Sequence, residues 1–284
     1  MINKKIHIIL PVHNRRSVTE KFINCLAAQT FENYHLLLVD DGSTDGTAEM
    51  VSSKIKNLTV IRGDGNLWWA GGLHKGYSWL KNNGAAADDA VLLCNDDVVF
   101  EPDYLETGLA LLERTPGAML LSCVYKLDGK FHEAGVIADL KNFSFRSAAV
   151  GEKINCATTR GLFFTVGTFL KVGGFYPTIL PHYLSDFEFT IRAFNRGFKI
   201  LADEKLKLHI DIETTGYYNS IDNDGFVKFL KKFFSKKYPD NPVYKIIFIF
   251  LTCPFPWNLK NALLISWTAF KHVFFHVRKL LKLK

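Results

Sequence analysis

Residues 91–100 read VLLCNDDVVF, and this stretch decides the fold. The run from Val91 to Cys94 is apolar and β-prone, as expected of a strand covered on both faces of a sheet. Asn95, Asp96 and Asp97 follow it directly. Two adjacent carboxylates repel each other by roughly 1 kcal/mol at ~4 Å in water, and by about 4 kcal/mol at an effective dielectric constant of 20. Either the acids cap the helix predicted in EPDYLETGLALLE, or they bind a divalent cation together with the phosphates of a substrate.

Strands and helices alternate along the N-terminal part of the chain. Predicted strands at 6–10, 36–39, 58–61 and 91–94 are separated by helical patterns. This alternation is typical of a mostly parallel sheet flanked by helices, whose ligands gather at the carboxyl ends of the strands. Polar clusters stand at three such ends, in 11–14, 40–43 and 95–97. From about residue 118 onward, β-prone pieces and a helix near 183–196 predict a mixed second half against the same sheet.

The composition is that of a globular protein with a full core, since 48% of the 284 residues are hydrophobic. The five cysteines are widely spaced and form no C-x-x-C pair, which argues against a disulfide framework or a zinc site and for a reducing compartment. The N-terminal MINKKIHIIL is interrupted by His7 and followed by Pro11. We therefore expect neither a signal peptide nor a membrane-spanning segment there.

Positive charge is concentrated at the C-terminal end, so we divide the chain into residues 1–225 and a tail, 226–284. The tail contains 12 Lys or Arg and one acid, whereas the rest of the chain contains 23 basic and 27 acidic residues. Apolar residues recur in it at three- and four-residue spacing: Leu263, Trp267, Phe270, Phe274, Val277 and Leu281. A basic amphipathic helix with aromatic anchors is typical of a segment that lies on an anionic membrane surface. The alternative is a helix that packs on the N-terminal domain or on a second subunit.

Five stretches follow one another along residues 5–212. They are IILPVHNR, LLLVDDGSTDGT, GNLWWAGGLHKG, LLCNDDVVFEPDYLE and VGGFYPTILPHYLSDFEFTIRAFNRGFKI, and the series ends at LKLHI. In this order they resemble the motifs of family 2 glycosyltransferases, and the chain is most similar to the rhamnosyltransferase-like branch that builds bacterial surface polysaccharides. The resemblance implies an α/β fold of the GT-A type, in which a Rossmann-like, mostly parallel central sheet is flanked by helices. The tail then forms a C-terminal helical extension.

The resemblance also implies a donor site and a metal site. The donor-binding residues would be Pro11, His13, Asp41, Asn66, Gly72 and Asp96. Asp41 would accept a hydrogen bond from the nucleotide base, although Asp40 is its neighbour and could equally cap a helix. Asp97 would bind Mg²⁺ or Mn²⁺, and His209 matches a downstream histidine that completes the metal site in relatives. A lone histidine can also be structural.

The segment LSDFEFTIRAFNRGFK carries the residue that matches the family's catalytic base. The family usually has a Glu-Asp pair there, whereas this chain has Ser185 followed by Asp186, and Glu188 stands at the next acidic position. The resemblance therefore implies Asp186 as the base. An acid at this position can also simply compensate the helix dipole. The buried face of the helix is predicted to consist of Phe187, Ile191 and Phe194.

The implied activity is transfer of a sugar from a UDP- or dTDP-linked donor to a hydroxyl of a glycan or lipid-linked acceptor. Since the family is mostly inverting, direct displacement at the anomeric carbon is expected. We expect the enzyme on the inner face of the cell membrane, and a homo-oligomer is compatible with the tail. A sugar nucleotidyltransferase is an alternative, but it needs a glycine-rich basic phosphate loop where this chain has PVHNRR. A nucleic-acid-binding protein is a second alternative, but the positive charge lies on an apolar-faced tail without a recognised nucleic-acid motif.

Overall fold

The computed structural model describes residues 4–149, 151–210 and 224–282. Its N-terminal part contains strands β1 (Ile6–Val12), β2 (Tyr34–Asp40), β3 (Leu58–Arg62) and β4 (Ala90–Leu93), and helices α1 (Arg16–Ala27), α2 (Thr47–Lys54) and α3 (Trp68–Asn82). The four strands are parallel and lie in the order β3-β2-β1-β4. The predicted parallel sheet is thus confirmed. Since β1 lies between β2 and β4, the carboxyl ends of these three strands meet at one edge of the sheet.

The second half of the chain adds strands of both directions. They are β5 (Val98–Val99), β6 (Ala118–Lys126), β7 (Phe131–Glu133), β10 (Leu162–Thr165) and β11 (Lys199–Ile210). β10 is antiparallel to both β4 and β6, whereas β11 runs parallel to β6. The full order is β3-β2-β1-β4-β10-β6-β11-β5, and β7 pairs with β6. The apolar residues after Asp97 therefore do not continue β4. They return to the far edge of the sheet as β5, beside β11.

Helices cover both faces of the sheet. The remaining ones of this part are α4 (Tyr104–Arg114), α5 (Val166–Val172) and α6 (Ser185–Asn195). Ile8 belongs to a buried cluster with residues of α1, α2 and α4, whereas its neighbour Ile9 belongs to a second cluster with residues of α3, α5 and α6. This alternation is the period of two of a strand that is buried on both faces. α3 approaches β1 so closely that a Cβ on Gly76 would lie 2.5 Å from Ile9 Cγ2.

Helix α6 is buried on two sides, so its predicted buried face is only partly correct. Ile191 is buried as predicted, but Phe187 and Phe194 are only half-buried. Phe189 is fully buried instead, stacked on Phe175 at a ring-centroid distance of 4.6 Å. One side of α6 thus contacts the sheet layer, and the Ile191 side contacts a separate hairpin described next.

The hairpin of β8 (Val136–Asp139) and β9 (Ser144–Ser147) joins the C-terminal extension to the rest of the fold. The extension contains α7 (Phe226–Phe233), α8 (Pro242–Thr252) and α9 (Trp257–Lys282). Phe248 of α8 is fully buried in a cluster with Val136 and Ile191. The alternative interpretation, packing on the N-terminal domain, therefore holds for α8. A division of the chain at residue 225 remains a prediction.

Helix α9 exposes the predicted apolar face. The exposed fractions of Trp267, Phe270 and Phe274 are 56%, 59% and 54%, and their rings stack in succession along the helix. The opposite face carries Ala269 and Val273, which pack on Phe229 and Phe233 of α7. Among the described residues, the helices are all too short or too polar to cross a bilayer. The aromatic face of α9 is therefore an exposed apolar surface on a helix whose other side packs on α7.

Candidate active site

A cavity of about 680 Å³ lies where the parallel strands end. Residues that follow β1, β2 and β4 line it, together with residues from the beginnings of α3 and α6. The predicted site residues in its lining are Pro11, His13, Asp41, Asp96, Asp97 and Asp186. The structure thus brings the three polar strand ends together, as the strand pattern predicts.

Arg15 is the group that offsets the two adjacent carboxylates. Its Nε donates to Asp96 Oδ2 at 3.0 Å, and its Nη2 lies 3.7 Å from Asp97 Oδ2. Thr19 Oγ1 also donates to Asp96 Oδ2, at 2.8 Å. Burial raises the pKa of Asp96, and the charge of Arg15 opposes that rise. The cap of α4 is Asp103, so the helix-cap interpretation of the pair is wrong.

Sequence reasoning missed Arg15, although a signal was present. PVHNRR lacks the glycines of a phosphate loop, but it does place a basic residue shortly after β1. A basic residue directly after β1 faces whatever follows β4, because the two strands are parallel neighbours. A cation opposite an Asp-Asp pair could have been inferred from this register.

Asp97 retains a free oxygen that fits a divalent cation. Its Oδ1 is buried and has no hydrogen-bond partner among the described residues. A buried polar atom without a partner costs free energy, and a ligand removes that cost. The residues that the structure describes contain no group of three or more His, Cys, Asp or Glu side chains that could hold a metal ion without other ligands. Magnesium and similar hard ions do not need such a group when substrate phosphates complete their shell.

The second predicted metal ligand, His209, lies beside β5, the short strand that follows Asp97. His209 lies in β11, where it pairs with Val99 of β5, and its ring centroid is 6.0 Å from that of Tyr125. It is absent from the cavity lining, which includes Asp97. The β6–β11 pairing places His209 opposite Tyr125. That His209 and Asp97 bind one ion remains a prediction.

Asp41 organises the loop that precedes α3. Its Oδ1 accepts from the backbone N–H of Gly65 at 2.8 Å, and its Oδ2 accepts from those of Leu67 and Trp68 at 2.9 and 3.2 Å. His13 Nδ1 lies 2.6 Å from the backbone oxygen of Asp41. A carboxylate offers about four lone-pair sites, so these bonds leave about one for a ligand. Asp41 therefore shapes the cavity whether or not it also contacts a nucleotide base.

The neighbouring Asp40 is structural. It is fully buried, accepts from Arg62 Nη1 at 2.5 Å and from the backbone N–H of Ser43 at 2.9 Å, and does not line the cavity. The N-cap position of α2 is occupied by Gly46. Asp40 thus forms an ion pair and a turn rather than the helix cap that was its alternative.

Two predicted donor-binding residues lie outside the cavity lining. Asn66 is exposed, and its backbone N–H donates to Asp64 Oδ1 at 3.0 Å. Gly72 lies in α3, where an added Cβ would be 2.7 Å from the Cβ of Pro11. Close contact between α3 and β1 therefore explains this glycine, rather than approach to a nucleotide.

Asp186 lies in the first turn of α6 and lines the cavity. Burial raises the pKa of its carboxyl to about 6, close to the value expected of a general base that works near neutral pH. The preceding Leu184 also lines the cavity and has a φ of 69°, in the left-handed region that a leucine rarely adopts. Trp68, at the beginning of α3, has a φ of 58°. Such backbone strain gathers at functional sites, where the surrounding structure stabilises it.

Glu188, the other acidic candidate, has a structural environment. It is buried and forms a bidentate ion pair with Arg192, with distances of 2.7 and 2.9 Å. Arg192 also donates to the backbone oxygens of Val172 and Gly174 at 2.5 and 2.8 Å. Glu188 is absent from the cavity lining. Of the two acids, Asp186 is the one placed to meet a substrate.

A comparison of the sequence with known families identifies the chain. The sequence model described as "Glycosyl transferase family 2" matches residues 7–169, more than half of the chain. The chain belongs to this family. It is therefore a glycosyltransferase. The curated relatives of this glycosyltransferase include a PGL/p-HBAD biosynthesis glycosyltransferase of Mycobacterium bovis, 26% identical over 230 residues, a match covering 78% of this chain and 82% of that protein.

Solved structures show that this glycosyltransferase has the GT-A fold. The mannosyltransferase PcManGT from Pyrobaculum calidifontis, in complex with GDP-Man and Mn²⁺, superposes with a TM-score of 0.57 at 17% identity, over 98% of this chain and 80% of that one. TarS of S. aureus superposes with a TM-score of 0.58 at 15% identity, over 84% of this chain. The match spans 42% of TarS. The predicted GT-A architecture with a C-terminal helical part is confirmed.

Asp186 and Glu188 should affect the stability of this glycosyltransferase in opposite directions. The pKa of Asp186 is raised from 3.8 to about 6, so the folded protein binds this proton more tightly than the unfolded chain does. Its contribution to stability is therefore complete below a pH of about 4 and is lost as the pH rises through about 6. Asp186→Asn should unfold at a higher temperature than wild type at a pH of about 8, and at the same temperature at about 4.

Glu188→Gln is the matched substitution on the same helix. It leaves the buried guanidinium of Arg192 without its carboxylate, which should cost about 3 kcal/mol in the free energy of unfolding. Urea unfolding of both variants measures the two effects. A fall in stability for Asp186→Asn at both pH values would contradict the raised pKa.

Proposed function

We propose that this glycosyltransferase transfers a sugar, with inversion, from a nucleoside diphosphate donor to a hydroxyl of a glycan or lipid-linked acceptor. The observation that carries the proposal is the joint presence of Asp97, with its free oxygen, and Asp186, with its raised pKa, in the lining of one cavity. A carboxylate for the metal–diphosphate complex and a carboxylate for proton removal are the two groups that such a transfer requires.

In the proposed reaction, the carboxylate of Asp186 accepts the proton of the acceptor hydroxyl. The hydroxyl oxygen forms a bond to the anomeric carbon, while the bond from that carbon to the diphosphate oxygen breaks. The products are the glycosylated acceptor, a nucleoside diphosphate and a protonated Asp186. A pKa of about 6 lets Asp186 be mostly ionised near pH 7 and still hold the proton that it receives.

Asp97 would hold a divalent cation, Mg²⁺ or Mn²⁺, and such an ion, when bound, supplies positive charge to the diphosphate. PcManGT, which shares the fold, is in complex with GDP-Man and Mn²⁺. Arg15 neutralises Asp96 and approaches the Oδ2 of Asp97, so the Oδ1 of Asp97 is the oxygen left for the ion. Asp96 accepts hydrogen bonds from Arg15 and Thr19. It would therefore position Arg15 rather than bind the ion.

For the donor base, the remaining acceptor site of Asp41 is compatible with the N–H of a pyrimidine, which supports UDP- or dTDP-linked sugars. The mycobacterial relative is named a PGL/p-HBAD biosynthesis glycosyltransferase, and that name specifies no sugar. A role in surface polysaccharide synthesis and a place in the rhamnosyltransferase-like branch remain predictions. The nucleotidyltransferase alternative loses its support, because the basic residue Arg15 after β1 is paired with Asp96.

Removal of the Asp97 carboxylate tests the metal site. Asp97→Ala should reduce turnover by about 10²-fold or more, since the charge stabilisation at stake is worth several kcal/mol. Calorimetric titration with UDP, dTDP and GDP, in Mn²⁺ and in EDTA, should show that wild type gains affinity from the metal and the variant does not. Asp88→Ala, which removes an exposed carboxylate outside the cavity lining, is the control. Equal metal dependence in Asp97→Ala and wild type would rule out Asp97 as a ligand.

The proposed base is tested by kinetics. Asp186→Asn should lower turnover by about 10²–10⁴-fold and leave the affinity for the nucleoside diphosphate unchanged, because the base acts on the acceptor. In wild type, kcat/KM should rise with pH and level off above a pH of about 6. Glu188→Gln, assayed below its unfolding temperature, should keep its turnover. An active Asp186→Asn beside an inactive Glu188→Gln would assign the reaction to the other carboxylate.

We further propose that α9 holds the enzyme on an anionic membrane surface. Its aromatic face is exposed, and Lys271 Nζ lies 5.3 Å from the ring centroid of Trp267, so charge and apolar surface adjoin. Basic residues near an anionic leaflet add about 1 kcal/mol each, and buried aromatic rings add binding that salt does not remove.

Because Phe248 of α8 completes the core, a truncation after residue 225 would damage the fold, and point substitutions are the sharper test. The triple variant of Trp267, Phe270 and Phe274 to Ser should lose sedimentation with phosphatidylglycerol vesicles at high salt. Lys271→Glu should weaken binding at low salt only, and Leu127→Ser, at an exposed apolar residue elsewhere, should have no effect. If wild type ignores these vesicles and the triple variant dissociates a dimer in sedimentation velocity, α9 is a subunit interface instead.

A further inference from the structure

The C-terminal extension contributes to the cavity through the segment 234–241, which joins α7 to α8. Lys237 and Pro239 of this segment line the cavity. Both lie far beyond the region that the family comparison matches, 7–169. The segment has a fixed conformation: Asn241 is buried, its Nδ2 donates to the Ser235 oxygen at 3.0 Å, and its Oδ1 accepts from the Val243 N–H at 2.9 Å. Lys237 is thus held at the cavity by the fold.

Lys237 lies against the strained tryptophan at the beginning of α3. Its Nζ is 5.9 Å from the ring centroid of Trp68, within the range of a cation–π interaction. The backbone N–H of Trp68 donates to Asp41 Oδ2, and the indole is 5.6 Å from the ring of His182. The indole therefore has a defined place, and it positions the lysine over the cavity. Lys236 Nζ lies 5.6 Å from the same ring, but Lys236 does not line the cavity.

The charges that line the cavity leave Lys237 without a carboxylate. Arg15 is paired with Asp96 and approaches Asp97, and Asp41 accepts from three backbone N–H groups. Burial, and then the charge of Lys237, lower the pKa of His182 to about 4, so this histidine is neutral near pH 7. Within the described part of the chain, Lys237 has no ion pair. Lys237 is therefore the positively charged side chain of the described lining that is available to bind a ligand.

We propose that Lys237 binds the diphosphate of the nucleotide-sugar donor and of the departing nucleoside diphosphate. This inference rests on the proposed function and adds to it a phosphate ligand from the extension. An ammonium is a compact charge with three donors, suited to phosphate oxygens. Asp97, which would hold the cation, and Lys237 reach the cavity from different elements, so a diphosphate between the cation and Lys237 would be held at two places. The positive charge of Lys237 would also stabilise the negative charge that develops on the leaving diphosphate, which favours cleavage of its bond to the sugar.

The test compares Lys237 with Lys236, which lies near the same Trp68 ring but does not line the cavity. Wild type is first titrated with UDP, dTDP and GDP in Mn²⁺, and the diphosphate that binds is used with its matching nucleoside, which lacks the phosphates. Lys237→Ala should weaken binding of the diphosphate by about tenfold or more, as expected for a bond to a charged group, and leave binding of the nucleoside unchanged. Lys237→Arg should restore most of the affinity. Lys236→Ala should bind both probes as wild type does.

The outcomes separate this inference from the proposed function. Wild type that binds none of the three diphosphates would overturn both. Wild type that binds one of them, with Lys237→Ala equal to it, would overturn the role of Lys237 alone. A Lys237→Ala variant with unchanged diphosphate affinity but a raised KM for the acceptor would also overturn it, by assigning the lysine to the acceptor. Both lysines are exposed, so a loss of folding is not expected in any of these variants.

Discussion

The ion pairs of Arg15 are the constraint on which the rest of the site depends. Two adjacent carboxylates at the buried end of a strand would repel by about 4 kcal/mol at an intermediate dielectric constant. One guanidinium, supplied from the connection between β1 and α1, hydrogen-bonds Asp96 and reaches Asp97. It links two neighbouring strand ends and neutralises one negative charge. The second negative charge keeps an oxygen without a partner, and this is the oxygen available to a cation.

Other acidic groups of the cavity are likewise hydrogen-bonded within the protein. Asp41 accepts hydrogen bonds from three backbone N–H groups, and Asp96 accepts from Arg15 and Thr19. The groups left for a ligand are therefore few, and they come from three separate elements: Asp97 after β4, Asp186 on α6 and Lys237 before α8. Groups that are already held in place need no reorganisation during a reaction, which is the physical basis of electrostatic catalysis. The left-handed backbone at Trp68 and Leu184 belongs to the same preorganised arrangement.

The sequence predicts the parallel half of the fold well, because alternating patterns and polar strand ends are local signals. VLLCNDDVVF, for example, predicts both the buried β4 and the site at its end. Contacts between distant segments leave no such signal. The periodicity of α6 cannot show that β8, β9 and α8 cover its second side, so it predicts Phe187 in the core instead of Phe189. The sequence predicts Lys237 only as one of the basic residues of the tail, and the packing of α8 places it at the cavity.

The region matched by the family comparison ends at residue 169, inside α5, and the fold does not end there. β11 lies between β6 and β5 in the middle of one half of the sheet, Asp186 begins the helix before it, and Phe248 fills a core cluster. A chimera joined at that boundary would exchange a sheet strand, the cavity carboxylate of Asp186 and the cavity-lining segment 234–241 in a single step. The region matched by the family comparison and the region after it thus share one sheet and one cavity.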